Sequence, residues 1–275
     1  MRRLTLAGGA VAAAAIGVYA GWVEPRRLVV RQVELHPPHW PRHLDGLRLG
    51  IASDLHAGVP YAGLDAVARV ADTLNAQAPD VHLLLGDYLD SNQILRRRLA
   101  PEAVAEQLGR LRAPKGTFAV MGNHDWRHSG DRIWRALDAQ GIPVLEDEAV
   151  ELGGFWIVGL GDLRFRAPDI PRALAQVPQG EPMIVLSHDP DTFPRIPGRV
   201  SLTLSGHTHG GQVAIPILRR PLMPSRYGER YARGHIVEGG RHLYVTHGVG
   251  TSGLPIRFLA PPEVVILTLR AAQPS

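Results

Sequence analysis

Hydrophobic and polar positions alternate along the chain in short blocks of two kinds. Short, mostly apolar runs have the length and composition of buried strands, and they lie at 47–53, 81–85, 117–121, 155–160, 183–187, 202–205, 243–245 and 264–269. Between the earlier runs, apolar residues recur every three or four positions over 64–77, 101–112 and 131–140, as on amphipathic helices. Alternating strands and helices predict a layered α/β fold. No internal repeat or linker interrupts residues 47–269, which indicates one domain.

The N-terminal pattern differs from that of the rest of the chain. Residues 4–23 form an uncharged stretch rich in Ala, Gly and Val, directly after Arg2 and Arg3. About twenty apolar residues can cross a bilayer as a helix, and a positive flank before such a run is typical of a signal sequence or membrane anchor. We therefore predict a signal or anchor segment over residues 1–28 and a folded domain over 29–275. Cleavage after Ala20 and retention as an anchor both remain open.

The arginine pair ahead of a weakly hydrophobic run also resembles a twin-arginine export signal, although Thr5 stands where a bulky apolar residue is usual. This resemblance implies a domain that lies outside the cytoplasm. The protein is then either anchored to the cytoplasmic membrane or exported to the cell envelope. We accordingly expect the membrane to be a partner of the N-terminal segment.

Composition narrows the chemistry. The 275 residues include no cysteine, which excludes disulfides, thiolate metal ligands and a cysteine nucleophile. The formal net charge of +4 comes almost wholly from arginine, since Lys115 is the only lysine, and the arginines are scattered along the chain. Scattered charge does not form a nucleic-acid-binding run. We therefore expect no specific nucleic-acid partner, and the pattern indicates no protein partner.

Five of the predicted strands run directly into polar loops that carry metal-ligand residue types. In open α/β sheets, ligands bind beyond the carboxyl ends of the strands, where neighbouring loops converge. Accidental placement of such residues after five strands is improbable, so a shared site is expected. The residues, in chain order, are Asp54 and His56; Asp87 and Asp90; Asn123, His124 and Asp125; His188; and His207 and His209.

Oxygen and imidazole ligands suit Mn, Zn or Fe, and the sequence does not distinguish among these metals. A hydrolytic centre with two metals about 3.5–4 Å apart needs a carboxylate that bridges them. Asp87 is the predicted bridge because it is the lone acid directly after Gly86, which permits a tight turn. The remaining histidines lack this context and are expected to be non-ligands, with His247 undecided; they are His36, His39, His43, His82, His128, His235 and His242.

The ordered motifs resemble those of the calcineurin-like metallophosphoesterase superfamily over residues 47–212. They are Asp54-Leu-His56, Gly86-Asp87-x-x-Asp90, Gly122-Asn123-His124-Asp125, His188 and Gly206-His207-Thr208-His209. Residues 243–269 further resemble an envelope-associated bacterial phosphodiesterase branch, whose members are often anchored or exported. That branch usually has Asn or Ser and then Arg before a glycine, where this chain has Thr246 and His247. A phosphate-contacting arginine is therefore missing from that position.

This resemblance implies an α/β/β/α sandwich and two divalent metal ions that share Asp87. One metal would take Asp54, His56, Asp87 and His209, and the other would take Asp87, Asn123, His188 and His207. A hydroxide between the metals would attack phosphorus. His124 would stabilise charge or protonate the leaving group, Asp125 would orient the His124 ring, and Asp90 would fix ligand orientation from outside the coordination shell.

The predicted activity is that of a phosphodiesterase or pyrophosphatase acting on an envelope or lipid-linked phosphoester. The N-terminal segment favours such a substrate, and so does the apolar stretch 215–223, which contains Arg219 and Arg220. Both arginines and Arg257 are candidate substrate contacts, although ordinary surface arginines would give the same pattern. A nucleotide phosphodiesterase or nuclease with the same core is the alternative. A non-catalytic metal-binding scaffold is less favoured because the ligand set is complete.

Overall fold

A computed structural model of the protein describes residues 11–91, 97–215 and 223–271. These residues form two β-sheets, and four α-helices lie between their strands along the chain. The strands are β1 (Val29–Leu35), β2 (Leu47–Ala52), β3 (Val81–Leu84), β4 (Thr117–Ala119), β5 (Glu148–Glu151), β6 (Trp156–Gly159), β7 (Met183–Leu186), β8 (Leu202–Ser205), β9 (Gly234–Glu238), β10 (Arg241–Val245) and β11 (Glu263–Leu269). The helices are α1 (Leu64–Asn75), α2 (Pro101–Leu108), α3 (Asn123–Asp138) and α4 (Ile170–Ala175).

The first sheet has the strand order β1-β11-β2-β3-β4, and only the β11–β2 pair is antiparallel. The second sheet has the order β5-β6-β7-β8-β10-β9, with antiparallel pairs at its two edges. Strands β2, β3 and β4 run parallel, and so do β6, β7, β8 and β10. Within each parallel set, the carboxyl ends therefore lie at one edge of the sheet, which is where the metal-type residues follow in the sequence.

Three apolar clusters define the layers. The central cluster packs Leu49 and Ile51 of the first sheet with Ile184 and Leu204 of the second. The outer face of the first sheet packs against α1, α2 and α3. The outer face of the second sheet packs against α4 and the short helix 190–195. The central strands are thus buried on both faces, which explains their continuous apolar runs. The predicted mixed α/β fold is confirmed, with two facing sheets between helical layers.

Some elements differ from the sequence prediction. Helix α3 begins at Asn123 and not near residue 131, because Asp125 accepts a hydrogen bond from the backbone N–H of Gly122 (2.9 Å) at the helix start. The predicted helix 131–140 is only its second part, beyond a break in helical geometry at Ser129. Strands β1, β5 and β9 were not predicted, because their half-exposed residues do not form an apolar run. The short helix α4 was also missed.

The N-terminal segment packs against the C-terminal part of the domain. Residues 11–18 are helical, and two short helices follow at Tyr19–Val23 and Glu24–Arg26. The carboxylate of Glu24 accepts hydrogen bonds from the backbone N–H groups of Leu259 (3.1 Å) and Ala260 (2.7 Å). Across the described residues, no helix has both the length and the apolar character needed to cross a membrane. The Arg2–Arg3 pair and the start of the predicted anchor lie outside the described residues.

Candidate metal centre

Backbone hydrogen bonds between neighbouring loops bring the strand ends together. The N–H of Asp54 donates to the carbonyl of Gly86, and the N–H of His56 donates to that of Asp87, each over 2.9 Å. The loops after β7 and β8 join in the same way, because the N–H of Gly206 donates to the carbonyl of His188 (3.0 Å). The two sheets connect where the N–H of His207 donates to the Asp54 carboxylate (3.0 and 3.1 Å).

Two glycines permit the closest approach of these loops. Gly86 has φ +91°, and a Cβ there would lie 2.5 Å from the backbone nitrogen of Gly122. A Cβ on Gly122 would lie 2.2 Å from Oδ1 of Asp87. Any side chain at these positions would therefore separate the loop after β3 from the loop after β4. Glycine is required here for the space it leaves at both positions, and at Gly86 also for its backbone conformation.

Backbone strain concentrates at the predicted ligands. Among the described residues, twelve that are not glycine have positive φ, and five of them are Asp54, His56, Asp87, His207 and His209. This conformation is unfavourable for residues with a Cβ. Such residues persist where the surrounding structure holds them, and they cluster at functional sites. The backbone therefore singles out the same residues as the motif series.

The side chains form two groups of converging donor atoms on either side of Asp87. In the first group, Nε2 of His56 lies 3.1 Å from Nε2 of His209, and the latter atom lies 3.5 Å from Oδ1 of Asp54. In the second group, Nε2 of His188 lies 3.2 Å from Nδ1 of His207. Within each group, the donor atoms all lie within 4.8 Å of one another.

Asp87 lies between these groups. Its Oδ2 is 3.5 Å from Nε2 of His56 and 3.3 Å from Nε2 of His188. Burial by itself raises the pKa of Asp87, but the facing histidines, His188 first, outweigh burial and hold its pKa well below the ordinary value. The group is therefore a carboxylate, as a metal-bridging ligand must be. The structure thus brings this predicted bridge into contact with a member of each group.

The donor set fits divalent metal ions. Burial, reinforced by neighbouring positive groups, lowers the pKa of both His207 and His209 well below the ordinary value, so these imidazoles are neutral. Nε2 of His207 lies 2.8 Å from Nη2 of Arg164 and 3.2 Å from the carbonyl of Pro224, while its Nδ1 faces Nε2 of His188. Oδ1 of Asn123 is buried without a hydrogen-bond partner and lines the same cleft as Asp87 and His207. A metal ion would satisfy these unpaired donor atoms.

His124 lies beside these two groups, and together with His56 and Asp87 it forms a third set of donor atoms that lie within 4.8 Å of one another. Its Nδ1 lies 2.8 Å from Oγ of Ser91 and 3.5 Å from Oδ1 of Asp90. Burial lowers the pKa of His124, but contact with Asp90 and the charges of Asp87 and Asp90 outweigh this effect and raise it. Asp90 also lies 3.5 Å from Nδ1 of His56, which places it behind both rings.

Asp125 differs from its expected role. Its carboxylate accepts hydrogen bonds from the backbone N–H groups of Gly122 (2.9 Å), Asp87 (2.7 Å) and Tyr88 (2.8 Å). It therefore braces the loops after β3 and β4, while Asp90 and Ser91 are the groups in contact with the His124 ring. Burial, with the nearby charge of Asp87, raises the pKa of Asp125 to about 7.

Of the three arginines predicted to contact the substrate, the structure describes only Arg257. The side chain of Arg257 is fully buried and donates to the backbone carbonyls of His247 (2.9 Å), Gly250 and Ala260 (2.8 Å). A guanidinium enclosed in this way stabilises the loop and does not face the cleft, which corrects its assignment as a substrate contact. Arg219 and Arg220 lie outside the described residues.

His247, left undecided from the sequence, belongs to none of the ligand groups among the described residues. Its Nδ1 lies 3.5 Å from Oε2 of Glu263. Burial lowers the pKa of His247 to about 4, although Glu263 opposes this effect. The other seven histidines that were expected to be non-ligands also lie outside these groups.

The cleft beside the ligand groups contains residues that the sequence analysis did not select. Arg127 from α3 and Arg164 from the loop after β6 line it, together with the apolar side chains of Val213, Leu254 and Ile256. The loop after β6 carried a recognisable signal, because Gly161 and Asp162 follow that strand just as Gly86 and Asp87 follow β3. It is a sixth polar loop at a strand end.

Comparison with known proteins identifies the class. The sequence profile of the calcineurin-like phosphoesterase family matches residues 47–211, which include strands β2 to β8 and every strand-end loop described above. The chain belongs to this family. It is therefore a metal-dependent phosphoester hydrolase, in agreement with the buried aspartate and histidine groups.

Several metallophosphoesterases are similar to this chain over most of its length. The uncharacterized metallophosphoesterase YkuE of Bacillus subtilis is 32% identical over 273 residues, covering 97% of this chain and 94% of the relative. The phosphodiesterase YaeI of Escherichia coli K12 is 33% identical over 231 residues, covering 79% of this chain and 80% of the relative. A dimetal phosphatase from Danio rerio has a crystal structure that covers 74% of this chain and 88% of its own, with a TM-score of 0.46 and 14% identity.

Proposed function

We propose that the protein is a phosphodiesterase that holds two divalent metal ions, with Asp87 shared between them. The observation that carries the proposal is the position of the Asp87 carboxylate, 3.5 Å from His56 and 3.3 Å from His188. One carboxylate between two sets of imidazole donors is what a pair of metals about 3.5–4 Å apart requires. The relative named as a phosphodiesterase supports diesters as the substrate class.

The ligand sets follow from the two donor groups, and Asn123 joins the second because its unpaired Oδ1 lines the same cleft. Asp54, His56 and His209 would hold one ion, while Asn123, His188 and His207 would hold the other. Metal ions bound here would supply Lewis acidity to activate water and would neutralise charge on the phosphate oxygens. Buried surroundings strengthen such electrostatic effects, since the residues involved are almost fully excluded from solvent.

His124 would handle the proton of the leaving group. Its Nδ1 faces Ser91 and Asp90, which leaves Nε2 for the substrate. The raised pKa keeps a larger fraction of the ring protonated near neutral pH, as a general acid requires. Asp90 would orient the ring and support its charge, and Asp125 would keep the loop that carries His124 against Asp87.

Hydrolysis of a chromogenic diester tests this function. The full chain, prepared with Mn²⁺, Zn²⁺ or Fe²⁺, would be assayed on bis-p-nitrophenyl phosphate and on p-nitrophenyl phosphate. We expect metal-dependent turnover, abolished by a chelator, with a higher kcat/KM for the diester. Metal analysis should find two ions per chain. A preference for the monoester, or a single ion at full activity, would contradict the proposal.

We further propose that the substrate is amphiphilic. An envelope or lipid-linked phosphoester has this property. The wall formed by Val213, Leu254 and Ile256 offers apolar surface beside the metal groups. The N-terminal segment packs behind this wall, since the N–H of Arg257 donates to the carbonyl of Ala20 (2.9 Å). Leu254 of the wall is exposed, and the N-terminal segment adds the exposed apolar side chains of Val18 and Trp22.

A comparison of two diesters would test the substrate class. A lipid-linked phosphodiester in detergent micelles and a water-soluble dinucleotide would be offered to the same preparation. We expect a higher kcat/KM for the lipid-linked compound. Equal values would remove the argument for an amphiphilic substrate, and a preference for the dinucleotide would favour a nucleotide phosphodiesterase. Neither result would affect the metal-dependent chemistry.

A further inference from the structure

The loop after β6, residues 160–166, is held rigidly against the cleft. The carboxylate of Asp162 is buried and accepts hydrogen bonds from the backbone N–H groups of Arg164 (3.0 Å) and Phe165 (2.9 Å). Nε of Arg166 donates to Glu146 (2.8 Å), and its guanidinium lies 4.4 Å from the centre of the Trp126 ring on α3. The turn at Arg164 is therefore fixed on both sides.

The side chain of Arg164 reaches the edge of the predicted metal site. Its Nη2 donates to the carbonyl of Pro224 (2.8 Å) and lies 2.8 Å from Nε2 of His207. Its Nε lies 3.5 Å from Oδ2 of Asp189. The side chain is nevertheless 42% exposed and lines the cleft. A guanidinium has five N–H donors, so these contacts leave donors for a ligand in the cleft.

The other positively charged or titratable side chains near the site are less suited to binding a ligand in the cleft. Arg257 is enclosed by backbone carbonyls, and His247 is buried with a pKa of about 4. Arg127 also lines the cleft, but its side chain is exposed on α3. Two arginines line the described part of the cleft, and of these Arg164 is the one whose side chain is held against a predicted metal ligand, His207. Anchoring matters because a pre-organised side chain loses less entropy when a ligand binds.

We propose that Arg164 binds a non-bridging oxygen of the substrate phosphate. The proposal rests on the proposed phosphodiesterase function. A phosphodiester carries one negative charge, and more negative charge develops on the phosphoryl oxygens as water attacks. A guanidinium beside His207 lies next to one metal position and can donate to these oxygens from the open side of the cleft. Its planar fork matches the geometry of phosphate.

The test compares Arg164→Gln and Arg164→Lys with the unchanged protein on bis-p-nitrophenyl phosphate. A charge-assisted hydrogen bond contributes about 1.5–3 kcal/mol, so we expect Arg164→Gln to lower kcat/KM roughly 10- to 150-fold. Arg164→Lys should recover part of this loss. Inorganic phosphate should inhibit Arg164→Gln more weakly, by a similar factor. Metal content should not change. Arg172→Gln, which removes an exposed arginine from α4, is the matched control and should keep full activity.

Chemical rescue separates phosphate binding from a structural role. Guanidinium ion added to Arg164→Ala should restore part of the activity, whereas a merely structural arginine would give no rescue. Loss of a metal ion from Arg164→Gln would overturn the proposal, because the residue would then act by holding His207. Unchanged kcat/KM and phosphate inhibition in an active enzyme would also overturn it. Absence of diesterase activity in the unchanged protein would instead refute the proposed function.

Discussion

Single histidine side chains in this site differ widely in protonation because their neighbours differ. His188 faces Asp87 at 3.3 Å, and although burial opposes it, that carboxylate raises the pKa of His188 well above the ordinary value. His209 lies equally deep but faces His56 and Arg257, so burial and positive charge both lower its pKa. Residue type alone therefore does not set the charge at each position. The arrangement concentrates proton affinity next to Asp87, where a metal ion would replace the proton.

Substitutions at Asp87 and His124 should separate metal binding from proton transfer. Asp87→Ala removes the carboxylate shared by the two donor groups, so we expect loss of both metal and activity. His124→Ala removes a ring that is not among the predicted ligands, so it should lose about 100-fold or more in kcat, within the range of general acid–base catalysis, and keep its metal. Metal analysis and steady-state kinetics on the same samples measure both effects.

Asp138→Ala, at an exposed position on the same helix as His124, is the control for these variants and should resemble the unchanged protein. Full metal content and activity in Asp87→Ala would refute the shared-ligand assignment. Metal loss in His124→Ala would show that His124 is itself a ligand.

His82 predicts a pH dependence of stability that is independent of the metal site. It is buried in β3, with Nε2 3.3 Å from the carbonyl of Arg112. Burial lowers the pKa of His82 to about 4, although the Arg112 carbonyl opposes this effect. The unfolded chain, with a histidine pKa of about 6.5, binds more protons between these values. The free energy of unfolding should therefore fall as the pH drops from 7 toward 4, by about 2 kcal/mol at pH 5 from this residue.

Urea unfolding of the unchanged protein and of His82→Gln at pH 7.5 and pH 5.0 measures this contribution. The variant should lose less stability between the two pH values than the unchanged protein does. Comparison of the two proteins cancels the contributions of the metal ligands and other groups. Equal losses would show that His82 does not cause the dependence.

At the level of elements, the site is built where strands end and loops cross. The parallel strands β2, β3 and β4 place three loops side by side, and β7 and β8 add two more from the second sheet. Backbone hydrogen bonds and the Asp125 carboxylate hold these loops in close contact, so glycine is needed where two of them meet. Gly122 is the clearest case, because it lies directly before α3 and against the loop that carries Asp87.

Gly122→Ala should disrupt the site without a conformational penalty in the backbone. Its φ of −104° and ψ of 175° suit alanine, so the effect would come from a Cβ placed 2.2 Å from Oδ1 of Asp87. We expect weaker metal binding and a large loss of kcat/KM, measured by metal titration and diester hydrolysis. Gly198→Ala, where the Cβ would meet no atom within 4 Å, should leave both unchanged. Normal metal affinity in Gly122→Ala would mean that the two loops can separate at little cost.

At the scale of the whole molecule, the two ends of the described chain stabilise each other and the cleft. Strand β1 pairs with β11 over seven residues, from Val29 opposite Glu263 to Leu35 opposite Leu269. The N-terminal segment packs on residues 256–260, which begin with Ile256 of the apolar cleft wall. Glu24 makes the main polar contact between them, since its buried carboxylate accepts two backbone hydrogen bonds.

Glu24→Ala should destabilise this junction. The change leaves the N–H groups of Leu259 and Ala260 without their acceptor, which should cost about 1–3 kcal/mol for a buried unpaired group. Denaturant unfolding measures the loss. Arg27→Ala, an exposed neighbour, should change stability by less than about 0.5 kcal/mol. If the two variants were equally stable, the N-terminal segment would not be part of the folded unit.

Much of this architecture could be predicted from the sequence where both faces of an element are buried. Strands β3 and β8 have only buried residues, so their apolar runs identified them, and β8 has the predicted limits. Strand β1 escaped prediction because its partner β11 lies more than two hundred residues away and its own residues are half exposed. Arg164 was missed because an arginine two residues after Asp162 has no distinctive pattern until Pro224 and His207 come beside it.

The sequence by itself determined the chemistry available to this protein. Side-chain type decides that ligands are oxygen and imidazole nitrogen, and the strand-end pattern already indicated that they share one edge. The tertiary structure decided which atoms meet: Asp87 between His56 and His188, Asp125 on backbone N–H groups, Arg257 inside and Arg164 at the cleft. The physical reason is that residue type is a local property, whereas distances between loops far apart in the chain depend on how two sheets pack.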